Sequence, residues 1–213
     1  MLGIHDLTLY VISAFLLSLT PGPDSLLVMS RSAMLGVRAG LVAMLGICTG
    51  CLVHVVAATL GLSAILASSA TAFMLVKLLG AAYLVYMGVM ALRTRLSDEE
   101  ASAPSAEEAT ASLWGTFQQG FWSNALNPKV ALFFLAFVPQ FVDPGSAHSS
   151  LAFLLLGLTY IAVCLLYFSG LTVLTATASQ KLKVSRMASV WLNRTVGALF
   201  VGLGLRLALS ARG

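Results

Sequence analysis

Ser-Leu-Thr-Pro-Gly-Pro-Asp-Ser, residues 18–25, and Asn-Ala-Leu-Asn-Pro-Lys, residues 124–129, interrupt two otherwise apolar stretches of a 213-residue chain. A helix in hydrocarbon must satisfy its backbone internally, so prolines are tolerated there only where protein or a water-filled cavity receives the freed groups. Pro21 and Pro23 take the usual amide donors from the carbonyls of Leu17 and Leu19, and Pro128 takes one from Asn124. Each break also starts a new half-helix, with Thr20 or Asn127 expected as the N-cap and Pro21 or Pro128 at the first helical position. Asp24 and Lys129 stand beside the breaks, and charges inside a bilayer are costly enough to mark pathways. The competing reading is a pair of ordinary kinks, since proline is common in transmembrane helices.

Composition sets the frame for these breaks. The chain is 59% hydrophobic and 9% charged, with a mean hydropathy of +0.94, against roughly 25% charged residues in a soluble domain. This composition describes an integral membrane protein, with the lipid bilayer as its solvent. At about 20 residues per span the length accommodates six helices and short links, which excludes a separate soluble catalytic domain. The net charge of +4 does not indicate nucleic acid, because the basic residues cluster at the ends of apolar segments. The start, Met1 to Asp6, lacks the basic region of a signal peptide, so the first segment is expected to remain.

The expected spans are about Leu7–Met29, Gly40–Leu66, Phe73–Leu92, Trp114–Val142, Leu151–Ala176 and Val196–Leu209. A Ser-, Ala- and Glu-rich stretch, residues 97–113, separates a first three-helix half (1–96) from a second (114–213) and reads as a solvated linker. Lysine and arginine fall in alternate links, at Arg31 and Arg38, at Arg93 and Arg95, and at Lys181, Lys183, Arg186 and Arg194. The positive-inside rule therefore puts both termini outside and the acidic linker in the cytoplasm. An odd number of helices per half makes the halves opposite in orientation. The expected fold is an all-α integral membrane protein of six transmembrane helices, two inverted three-helix halves with proline-broken first and fourth helices. Matched interruptions in two such halves are a pointer to a transporter's binding site.

A half-helix N-terminus suits a carboxylate and unwound carbonyls suit an ammonium, so one zwitterion satisfies both. The candidate substrate contacts are Thr20, Pro21, Gly22, Pro23 and Asp24 in the first break and Asn124, Asn127, Pro128 and Lys129 in the second. Asp24 is the candidate for the ammonium or a coupling proton, and Lys129 for the carboxylate. The bland alternative for Lys129 is that it anchors its helix by bonding loose carbonyls of the first half-helix. Secondary candidates are Lys77, which is equally suited to snorkelling, Tyr83, which is equally suited to packing, and His54. Gly46 and Gly50 form a small-xxx-small pair for helix packing, and small-residue faces of this kind also suit a homodimer.

Cys48, Cys51 and His54 share a broad helix face at three-residue intervals. Packing is the preferred reading over a soft-metal site, so neither a metal nor another cofactor is expected. The chain carries no Walker-type loop, which removes direct use of ATP, and no HExxH run, and its histidines His5, His54 and His148 sit in separate segments. A membrane-embedded enzyme is therefore disfavoured.

Four motifs in order are informative together: Thr-Pro-Gly-Pro-Asp at 20–24, Gly-Val-Arg-Ala-Gly at 36–40, Lys-Leu-Leu-Gly-Ala-Ala-Tyr-Leu at 77–84, and Asn-Pro-Lys at 127–129 followed by Phe-Val-Pro-Gln-Phe at 137–141. With them the chain resembles the LysE/RhtB family of bacterial amino-acid exporters. The resemblance implies export of an amino acid or a derivative across the bacterial inner membrane, coupled to the proton gradient or the membrane potential. It leaves the cargo open. Distant members of the wider superfamily imply a metal-ion exporter as the alternative, which Cys48, Cys51 and His54 would have to carry.

Overall fold

A computed structural model of the protein describes residues 2–64, 70–93, 112–143 and 146–178, together with parts of 194–209. Helix α1 spans Leu7–Leu19 and α2 Pro23–Leu35. Helix α3, Val37–Ala57, continues through a wide i→i+5 turn at Ala58–Leu62. Then come α4, Ala70–Arg93, and α5, Leu113–Ala125. Helix α6, Pro128–Leu132, runs on through a second wide turn at Phe133–Phe137 and a tight turn at Val138–Phe141. Helix α7 is Ser149–Ala178 and α8 falls within 194–209.

The chain is an all-helical membrane protein. Val37–Leu62 and Ser149–Thr177 are each long and apolar enough to cross a bilayer, and the bent pairs α1/α2 and α5/α6 raise the number of candidate spans to four among the described residues. Residues 97–111 of the expected acidic linker, the basic link Lys181–Arg186 and the Lys77 side chain lie outside the described residues.

The two breaks are built differently. Thr20 (φ −64°, ψ 118°) and Gly22 (φ −168°, ψ −179°) each precede a proline and are extended, because the proline ring disfavours helical geometry in the residue before it. With two such residues in alternation the helix restarts only at Pro23, and Gly22 takes the capping position expected of Thr20. Thr20 instead closes α1, where its hydroxyl donates to the Leu16 carbonyl at 3.1 Å. Helix α2 leaves α1 at 59°. At the second break a single proline suffices: Asn127 is the N-cap, its Oδ1 accepting the Lys129 N–H at 3.0 Å, and Pro128 is the first helical residue. The bend there is 43°.

Glycines set how closely the helices approach. A methyl group on Gly46 or Gly50 of α3 would collide with the Phe117 or Phe121 carbonyl of α5, and one on Gly120 of α5 with the Ala43 carbonyl of α3. Gly88 of α4 and Gly197 of α8 each face the other's carbonyl, and Gly204 faces that of Ala81. Gly202 meets open space, so of the three α8 glycines only Gly197 and Gly204 mark a close contact. Between α1, α6 and α7 lies an aromatic core in which Tyr10 donates to the Leu156 carbonyl at 2.8 Å and packs edge-on against Phe141.

Candidate functional site

The two breaks meet, and each is completed by side chains from outside its own half-helices. Asp24, in the first turn of α2 and 6% exposed, reaches across to the second break. Its Oδ1 accepts from the Ser123 hydroxyl at 2.6 Å, and its Oδ2 from the amides of Asn124 at 2.8 Å and Asn127 at 3.1 Å. A carboxylate near a helix N-terminus is favoured by the helix dipole, and charge-assisted bonds of this kind are roughly twice as strong as neutral ones. Asn127 uses both ends of its amide, Oδ1 capping α6 and Nδ2 donating to Asp24. The cap thereby fixes the orientation of the donor.

Lys129 makes the converse connection. Its Nζ donates to the carbonyl of Leu17 at 3.2 Å and to that of Thr20 at 3.1 Å. The Leu17 carbonyl is the one that Pro21 deprives of its amide partner. Lys129 therefore bonds loose carbonyls of the first break, and among the described residues it makes no direct ion pair with Asp24. Gly22 leaves room for it, since a side chain there would press on the Lys129 ammonium at 3.3 Å.

The Asn124 carbonyl, which loses its usual donor to Pro128, accepts the Asn127 N–H at 2.9 Å and has a side-chain donor as well. His54 Nε2 lies 2.9 Å from the Asn124 carbonyl; a carbonyl can only accept, so Nε2 carries the proton. His54 sits one turn beyond Gly50, whose missing side chain lets α3 approach Phe121 and Asn124. Cys48 and Cys51 are buried and free, and no group of three metal-ligating side chains forms among the described residues. Tyr83 packs beside Tyr86 on α4, their ring centroids 6.1 Å apart, and no hydrogen bond joins it to the cluster among the described residues.

One acceptor in the cluster is unmet: Asn124 Oδ1 is buried and lacks a partner among the described groups. Beside the cluster, a shallow cavity of about 620 Å³, wide open to the surface along the exposed Gln118, Gln119 and Trp122, is also lined by Leu27, Gly115 and Ser123. Ser123 thus borders this space and Asp24 at once. Farther along the same pair of helices the buried Arg31 donates to Gln119 Oε1 at 2.7 Å. Sequence reading missed Ser123 and the Arg31–Gln119 pair. Ser123 directly precedes Asn124, and the carboxylate's need for several donors was the available signal.

The family model described as LysE type translocator matches residues 15–211. The chain belongs to this family. It is 37% identical over 210 residues to an uncharacterised membrane protein of Pseudomonas aeruginosa, covering 97% of this chain and 96% of that one. A Bacillus subtilis uncharacterised membrane protein is 34% identical over 212 residues, covering 97% and 100%. The leucine efflux protein of Salmonella typhimurium is 29% identical over 206 residues, covering 97% and 96%. No solved structure matches the chain significantly. At the level of the family this LysE-type translocator is a membrane transporter in the amino-acid export class.

Proposed function

We propose that the protein is a secondary transporter that exports a zwitterionic amino acid across the bacterial inner membrane, coupled to the proton gradient or the membrane potential, with the crossed breaks as its binding site. The observation that carries this reading is the reciprocal arrangement of opposite charges: Asp24 bonds the second break and Lys129 the first. The cargo's carboxylate binds at Lys129 and the N-terminus of α6, taking the ammonium away from the Leu17 and Thr20 carbonyls. Its ammonium binds at Asp24 and at Asn124 Oδ1, the buried acceptor that lacks a partner. Thr20, Pro21, Gly22, Pro23 and Pro128 shape the two turns that hold these groups. A relative named for leucine efflux supports an amino acid as cargo.

The same reading gives the chain six transmembrane helices in two inverted halves, both termini outside and the acidic linker cytoplasmic. The cavity at Ser123 then opens the site toward the cytoplasm. The deciding experiment is a panel of amino acids and toxic analogues, scored for which ones overexpressing cells survive and excrete. Export of at least one amino acid, lost in Asp24→Asn, is the expected result. Cadmium or zinc tolerance that depends on Cys48, Cys51 and His54, with no amino-acid phenotype, would replace this reading with metal-ion export.

A further inference from the structure

Helices α3 and α6 both widen into i→i+5 turns, at Ala58–Leu62 and Phe133–Phe137. Such turns are rare and concentrate at functional sites. The two help to frame a half-open cavity of about 180 Å³, with His54, Leu62 and Phe134 buried at its inner wall and Ala57, Gly61 and Leu135 exposed at its mouth. Among the described residues His54 contributes the one ionisable side chain in the lining, and its ring stacks on Phe134 at 6.1 Å with an interplanar angle of 19°. His54 links the cavity wall to the polar cluster by one bond, from its Nε2 to the Asn124 carbonyl, and Asn124 in turn holds Asp24.

We propose that this cavity is the specificity pocket for the cargo's side chain, that it takes aliphatic or small aromatic groups, and that His54 is the positioning residue at its polar end. The proposal rests on the export reading above. An apolar cavity of ~150 Å³ is large enough to hold benzene, so this one accommodates a branched side chain of four carbons. A cationic or anionic side chain would lose its hydration here without gaining partners along the apolar wall. The cargo's two charged groups remain at the breaks, with Ala131 about one helical turn and Phe134 about two turns beyond Asn127, while its apolar end lies between the widened turns. The class of cargo is therefore an apolar amino acid and not a basic one.

Gly61 lines the mouth of the pocket and supplies its test. A Cβ built there meets nothing within 4 Å and its φ is not positive, so a side chain can be added at the mouth without colliding with backbone. In the full-length protein, export of leucine and alanine is measured for wild type, Gly61→Ala, Gly61→Val and Gly61→Leu. The expected result is a stepwise fall in the leucine-to-alanine ratio, reaching about tenfold by Gly61→Val, the discrimination that a methylene or two gives in an apolar pocket. A ratio that stays constant along the series, as it would if a lipid chain filled the cavity, overturns the proposal while leaving amino-acid export intact. Wild-type protein that moves no amino acid overturns both readings. For His54, His54→Ala should raise the leucine KM and His54→Gln, which keeps an N–H donor, should restore it; equal KM values in all three proteins remove the positioning role.

Discussion

Asp24→Asn and Lys129→Met separate charge from structure because the two residues hold their surroundings in different ways. An asparagine at position 24 can keep its oxygen toward the Asn124 and Asn127 amides and turn its NH2 toward Ser123, whose hydroxyl can rotate to accept. The hydrogen bonds survive and only the charge goes, so Asp24→Asn should reach the membrane with an unchanged melting temperature in detergent. Export should fall at least about tenfold, since a hydrogen bond to a charged group contributes roughly 1.5–3 kcal/mol. Lys129→Met takes the donor from two carbonyls, and a buried group left unmet costs about 1–3 kcal/mol. This variant should also lose export and in addition melt at a lower temperature. Normal, normally pH-dependent export by Asp24→Asn would show that Asp24 handles neither proton nor ammonium. An unchanged melting temperature for Lys129→Met would show that its bonds to α1 and the Thr20 turn add nothing to stability.

At the scale of the helix, Pro21 and Pro128 each free a carbonyl that a distant side chain now bonds, Leu17 by Lys129 and Asn124 by His54, the latter shared with the Asn127 N–H. Pro21→Ala and Pro128→Ala put back a backbone donor that competes for these carbonyls and straightens the helix. Both variants should accumulate in the membrane with export reduced, by about tenfold or more for Pro21→Ala, the effect of displacing the charge-assisted Lys129 contact. Wild-type export from both would reduce the breaks to kinks. How much of this was legible in the sequence follows from how local the physics is. The breaks, the Asn127 cap and the close packing at Gly46 and Gly50 depend on a few neighbouring residues and could be read directly. The shift of the first cap from Thr20 to Gly22 was also local, because alternating prolines force two extended residues before them. The loose carbonyls that Lys129 bonds stood only as the alternative to a substrate role, and the partners of Asp24 and His54 were not legible. They depend on how α2, α3, α5 and the breaks cross, and no spacing along one segment encodes that.

In the molecule as a whole, the crossed breaks are matched by a second junction at one end of the bundle. Residues 3–5 run beside the end of α6: the His5 N–H donates to the Phe141 carbonyl at 3.1 Å, the Asp143 N–H to the Gly3 carbonyl at 2.8 Å, and Ile4 bridges Val142 antiparallel. The start of the chain and the turn after α6 therefore lie on the same side of the bundle. Neither stretch contains lysine or arginine, which is the charge signature of an outer face, whereas Arg38 stands just past the far end of α2; Arg31, expected in the same link, is instead buried within α2. Orientation can be tested at both ends of the proposed inverted halves. A reporter that is active only in the cytoplasm should give signal when inserted near Pro104, within the acidic linker, and should be silent when fused after Gly213. The two insertions control for each other, because an even number of crossings between them would make both bright or both silent. Bright signal at Gly213 with silence at Pro104 would invert the orientation and turn the Ser123 cavity toward the outside. Identical signals at both positions would remove the three-helix second half altogether, and with it the inverted repeat that makes Asp24 and Lys129 counterparts.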